Sequence, residues 1–172
     1  MISETLKPVT DAELAYVKHI LPDLVDIGLL RCFPIDPEDQ DSVPLHAVIT
    51  DSLVRRSMPF ARLYIQRTWD RTRVVNYELP SYALADDATH WLNANAKKFQ
   101  PGTVIPAIPN GALIAMALLE GYRPEASGAN VYFPTVLTPD YEQLRQLRLS
   151  VEAKARDQLA WEKLLREARA SE

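Results

Sequence analysis

The residue types best suited to proton transfer are Glu78, Asp86, Asp87 and His90. His90 follows the two aspartates by four and three residues, so a helix would carry all three near one face. A carboxylate beside an imidazole orients it and raises its pKa, which is the arrangement of a general acid or base. The same spacing has a structural reading. Asp86 or Asp87 caps a helix running to Phe99, where the dipole favours acids, and His90 decorates its surface beside Trp91. Ile108-Pro109-Asn110-Gly111 is a second candidate, a turn whose free backbone N–H groups could meet an anion at a helix start. Here too a cap by Asn110 is the simpler account.

Other chemistries lack their motifs. The histidines, His19, His46 and His90, and the single Cys32 share no metal-ligand spacing. Cys32, before Phe33-Pro34, reads as a small buried residue, and no G-x-S-x-G elbow is present. Phosphate loops are missing, and five glycines leave little for a cofactor cradle. Neither a metal nor a cofactor is expected.

Charge is the one anomaly. Residues 1–54 hold ten acids and three bases, whereas residues 55–73 hold six arginines and only Asp70 as an acid. These are Arg55, Arg56, Arg62, Arg67, Arg71 and Arg73, with the aromatics Phe60, Tyr64, Trp69 and Tyr77 interleaved. Arginine's planar fork suits phosphate and carboxylate, and its face stacks on rings. Arg55, Arg56, Arg62, Tyr64, Arg67, Trp69, Arg71 and Arg73 are therefore the candidate binding residues, for an acidic protein or for nucleic acid. The alternative is that the arginines are neutralised within the fold by the acidic N-terminal residues. No recognised nucleic-acid-binding motif accompanies them.

Composition sets the frame for these candidates. The chain has 172 residues, 47% of them hydrophobic and 24% charged, which fits a globular domain and argues against disorder. One cysteine excludes a disulfide scaffold. The longest apolar run, Ala112 to Leu119, is eight residues against roughly twenty for a bilayer span, so no membrane is expected. A net charge of −4 is too small for a carboxylate-coated DNA mimic. No secretory signal is read at Met1-Ile2-Ser3-Glu4, and with a lone thiol the expected compartment is the cytoplasm. Arg outnumbers Lys 13 to 6, a hint of a GC-rich bacterial or phage genome.

The elements that must position these residues follow from periodicity. Thr10 and Glu13 have capping-box spacing, and Leu14, Val17, Ile20, Leu21, Leu24 and Val25 follow at helical intervals. Pro22 implies a kink or two abutting helices, ending near Gly28. Residues 32–44 read as an acidic loop, and Leu45 to Ser57 as a helix. Between Pro59 and Pro80 the alternation of Leu63 with Ile65 favours a strand, with Trp69-Asp70-Arg71-Thr72 as a turn; a helix from Phe60 to Trp69 competes. Arg73 to Leu79 reads as a strand. Residues 100–109 form a proline-rich connector against the core. A short buried helix then runs from Ala112 to Glu120 and stops at Gly121. Tyr122 to Pro124 and Asn130 to Val136 read as strands joined by a turn at 126–129.

Thr138-Pro139 opens the last helix, which could reach Ala170. Leu144, Leu147, Val151, Ala155, Leu159 and Leu165 form its stripe. Glu152 with Arg156 and Glu162 with Arg166 have a favourable order for ion pairs. A strict heptad fails at Lys154 and Gln158.

The expected fold is α+β: a mostly helical single domain with a small antiparallel sheet and a long C-terminal helix. Residues 1–137 form the core, and 138–172 pack on it or mediate assembly, a homodimer included. The expected function is a small non-enzymatic bacterial or phage interaction protein, an accessory, inhibitor or counter-defence factor. It binds an acidic protein or nucleoprotein machine. A nucleic-acid-binding regulator using residues 55–73, and an enzyme with a dispersed site near Glu78, Asp86 and His90, stay open beside it.

Overall fold

The computed structural model describes residues 6–29, 49–99, 101–127 and 130–170, with side chains as far as Leu159. The protein is α+β and mostly helical, with small antiparallel sheets and a long C-terminal helix. No described helix is long and apolar enough to cross a membrane. The chain divides into two units, residues 1–136 and 137–172. The acidic loop expected over 32–44, with Cys32, and the start of the expected helix at Leu45, with His46, lie outside the described residues.

Helix α1 spans Asp11–Ile20 and opens on the expected capping box. Thr10 Oγ1 accepts from the Glu13 N–H, and Glu13 Oε2 accepts from the Thr10 N–H at 2.8 Å. The helix stops before Pro22 and does not resume. Leu24–Val25 (β1) and Gly28–Leu29 (β2) instead pair as a two-residue hairpin. Leu21, Leu24 and Val25 had suited a helical period because they are all buried. Burial on a tight turn and burial on a helix leave the same apolar residues.

Helix α2 spans Ser52–Thr68, capped by Asp51, whose side chain accepts from the Leu53 N–H at 2.8 Å. The strand reading of Leu63 and Ile65 is therefore overturned in favour of its helical competitor. Residues 60–65 are all buried, so α2 has core contact on every side there and shows no clean period. Strand β3, Trp69–Asn76, follows directly, with no turn at 69–72.

Helix α3 spans Ser81–Ala94 with Pro80 as its N-cap. It begins well before Asp86, so neither Asp86 nor Asp87 caps it. Pro80 cannot continue the preceding chain as a strand, and Leu84, Ala88 and Leu92 extend the buried face across the acids. A short 3₁₀ turn, Ala96–Lys98, closes the segment. The connector that follows touches the core at Ile108, whereas Val104 is exposed.

Helix α4 spans Asn110–Leu119 and is buried from Gly111 to Ala117. It packs chiefly against α2. Tyr64, Met58 and Ile65 from α2 meet a core to which α4 gives Leu113, Ile114 and Met116. Its N-cap is Pro109, and Asn110 does not cap it; the Asn110 Nδ2 donates to the Ile27 carbonyl at 2.8 Å. The Gly111 N–H donates to the Asp26 carbonyl at 2.7 Å. The β1–β2 turn thus supplies the acceptors for the first turn of α4. Its C-terminus ends as expected at Gly121, with φ +85°. The Gly121 N–H bonds to Leu118 O and the Tyr122 N–H to Ala117 O, a Schellman motif.

Strands β4 (Glu125–Ser127) and β5 (Asn130–Leu137) pair antiparallel, with Glu125 opposite Tyr132. The first of them starts three residues later than the expected Tyr122. The sheet order is β3-β5-β4, which leaves β3 at an edge.

The second unit contains helix α5, Pro139–Ala170, with the expected limits. Glu152 pairs there with Arg148 at 3.3 Å, on its N-terminal side, where Arg156 was expected. The expected Glu162–Arg166 pair lies beyond the described side chains.

A Cβ placed on Gly111 would lie 1.7 Å from the Val25 carbonyl oxygen, which is backbone and cannot swing aside. Gly111→Ala is expected to lose more than about 3 kcal/mol of unfolding free energy in urea titration, or to prevent folding. Gly102→Ala meets nothing within 4 Å and should cost only the strain of an alanine at φ +84°, about 1–2 kcal/mol.

Candidate interaction surface

The eight candidate binding residues do not form one outward patch. Tyr64 and Trp69 lie in the core at 0% and 5% exposure. Their rings meet at 6.3 Å, and Trp69 packs on Phe133 and Tyr122 at 5.4 Å and 5.2 Å. Arg62 is 4% exposed and bridges two carboxylates. Its Nη2 donates to Glu13 Oε1 at 2.7 Å, and its Nε lies 3.1 Å from Glu120 Oε1. Arg55 pairs with Asp11 at 2.7 Å and donates to the Val9 carbonyl at 3.0 Å. For Arg55 and Arg62, neutralisation by the acidic N-terminal residues is the observed arrangement.

Arg71 donates to the Glu120 carbonyl, and its guanidinium lies 5.2 Å from the Tyr122 ring centroid. With Gln66, Trp69 and Asp70 these residues line an open cleft of about 290 Å³. Gln66 also binds Glu120, at 3.0 Å. Burial raises the Tyr122 pKa, an effect that Arg71 partly offsets. Arg56, Arg67 and Arg73 are exposed, but Arg56 lies in the first turns of α2, Arg67 at its end and Arg73 on β3.

The proton-transfer candidates are also dispersed. Asp86 and His90 form an exposed pair, Oδ2 to Nε2, at 3.6 Å. Asp87 is buried at 2% exposure, and Glu78 stands exposed beyond β3. Among the described residues no three His, Cys, Asp or Glu side chains cluster as a metal site.

A different surface emerges from the sheet. On β5, Val131, Phe133, Thr135 and Leu137 are buried, so Tyr132, Pro134 and Val136 point to the other face. Trp69 shares the covered face through Phe133, and alternation along β3 then sends Val74 to the open face. Val74 is 75% exposed, Tyr77 53% and Val136 42%. The Tyr77 and Tyr132 rings pack at 5.1 Å, and the Tyr77 hydroxyl donates to Glu125, directly opposite Tyr132 in the ladder. That hydrogen bond to a carboxylate raises the Tyr77 pKa. An open face of an antiparallel sheet is ordinarily polar; this one carries two tyrosines, two valines and a proline. Sequence reasoning missed it. The reading of Arg73 to Leu79 as a strand did not say which of its faces stays uncovered.

The chain matches no known family model, no curated protein and no solved structure. The geometry alone therefore carries the functional reading.

The Thr10 N–H, with Arg62 and the Thr10 hydroxyl, lowers the Glu13 pKa from 4.5 to about 2. The folded state thus binds this proton less readily than the unfolded chain. The stabilisation is full above about pH 4.5 and fades as pH falls toward 2. Urea midpoints of the protein should drop across that window, and Glu13→Gln should flatten the drop. At pH 7 Glu13→Gln should cost about 1–2 kcal/mol, since solvent still reaches the carboxylate. Arg62→Ala should cost about 3 kcal/mol, because two carboxylates then lose their shared cation.

Proposed function

We propose that this chain is a non-enzymatic interaction protein whose open sheet face docks on an acidic protein or nucleoprotein machine. It works as an accessory, inhibitor or counter-defence factor in the cytoplasm of a bacterium or its phage. One observation carries the reading: Val74, Tyr77, Tyr132 and Val136 occupy a face where solvent contact would select polar residues. Tyrosine contributes large, rigid contact area at interfaces, with a hydroxyl that tolerates a wet rim. Edge strand β3 contributes Val74 to this face, and by the same alternation its exposed Arg71 and Arg73 lie on the opposite side. The excess of arginine over residues 55–73, with Arg56, Arg67 and Arg73 exposed, favours an acidic partner. Asp86 and His90 pair on an exposed face of α3 while Asp87 is buried, which supports a binding role over catalysis.

The test uses the full chain as bait in a bacterial host lysate, followed by titration of the purified partner. Val74→Glu and Val136→Glu, each with unchanged circular dichroism, should weaken binding at least ten-fold, about 1.4 kcal/mol. Arg73→Glu should weaken it less, and only at low salt, as expected for a charge outside the docking face that acts at long range. Undiminished binding by both valine variants would remove the sheet face from the proposal.

A further inference from the structure

The three-stranded sheet has two edges of unequal length. Strand β4 supplies three residues at one of them, and β3 supplies eight at the other. A short edge offers little to pair with, whereas a long one is a template for an added strand. Among the described residues β3 pairs with β5 alone, and its Asp70, Arg71, Arg73 and Val74 are exposed. No proline interrupts it, so no donor is missing from its backbone. Period two puts Arg71 and Arg73 on one side of the strand and Asp70, Thr72 and Val74 on the other. Arg71 is held in place by the Glu120 carbonyl and the Tyr122 ring.

Charge decides against a second copy as the occupant of this edge. Two equal edges pair antiparallel about a two-fold axis normal to the sheet, which keeps residues of one side together. The two longest registers cover residues 69–75, centred on Thr72, and residues 70–76, centred on Arg73. The first sets Arg71 opposite Arg73 twice, and the second sets Arg73 opposite itself; like charges directly opposite are repulsive. We propose that the β3 edge instead takes an extended acidic peptide by antiparallel strand addition. Carboxylates stand opposite Arg71 and Arg73, and apolar side chains stand opposite Thr72 and Val74. Backbone hydrogen bonds supply the affinity, and the alternation of side chains supplies the register. The residue opposite Asp70 is neutral or basic, so the acidic run ends there. This site goes beyond the docking face. Its ligand is one extended segment, and Arg73, which lies outside that face, is central to it.

The experiment titrates the full chain into a fluorescein-labelled peptide, Thr-Val-Glu-Val-Glu-Lys with blocked ends, and reads anisotropy at low salt. Run antiparallel, this order sets its glutamates opposite Arg73 and Arg71 and its lysine opposite Asp70. Two analogues carry N-methyl groups, one on both valines and the other on both glutamates. A paired strand turns alternate N–H groups toward its neighbour. One analogue should therefore bind roughly ten-fold more weakly, and the other within about two-fold of the parent. Arg73→Glu, with unchanged circular dichroism, should weaken the parent peptide about five-fold. Lysine in place of the first glutamate should restore binding to that variant, and lysine in place of the second should not. Lys97→Glu, the same charge change on the exposed 3₁₀ turn, should move the affinity by less than about two-fold. No binding, equal affinity for the two analogues, equal restoration by either lysine, or self-association that displaces the peptide overturns the proposal. Such a failure leaves the docking face standing, because that reading is judged by partner binding of the two valine variants.

Discussion

The buried guanidinium of Arg62 is the interaction on which the first unit turns. It sits on the central helix α2, holds Glu13 of α1 and reaches Glu120 at the end of α4. A cation this deep is tolerable only when paired, because moving it out of water costs several kcal/mol. Its two carboxylates fix where α1 and the end of α4 stand relative to α2. Glu13 is drawn in twice, since it also closes the capping box of α1. Helix start and ion pair thus share one carboxylate, and the low pKa of Glu13 reflects both.

Glu120 extends this chain of constraint to the sheet. Its side chain takes Arg62 and Gln66, while its carbonyl takes Arg71 at the start of β3. Gly121 makes this possible, because the left-handed turn after α4 frees the Glu120 carbonyl and leads directly into Tyr122. Trp69 and Tyr122 then pack edge to face beneath Arg71. The covered face of the sheet is so tied to the helices that the other face, with Tyr77 and Tyr132, is left outward. The surface proposed for binding is a consequence of how Arg62 and Arg71 are held by the fold.

Much of the architecture was legible from local signals. The capping box at Thr10 and Glu13, the stop at Gly121 and the limits of α5 all rest on interactions within a few residues. Each of these is present in the fold. The misread elements are those whose form depends on distant neighbours. Residues 60–65 are surrounded by core, so their period vanished and a helix looked like a strand. Leu24 and Val25 are apolar because α4 docks above them, not because they continue α1. Asn110 was read as a cap from its position beside Pro109, but its amide is taken by the Ile27 carbonyl, 83 residues away.

The same division holds for the candidate sites. The run of arginines at 55–73 is a property of the sequence, and so is the excess of acids before it. Composition established that counter-charges existed within the chain. It could not establish which arginines would meet them, because a helix followed by a strand sends neighbouring residues in opposite directions. Only the packing of α2 on α4 decided that Arg62 turns inward while Arg56 and Arg73 stay in solvent. Local hydrogen bonding is encoded by residues that are close in the chain. Burial is decided by residues that become close only once the chain has folded.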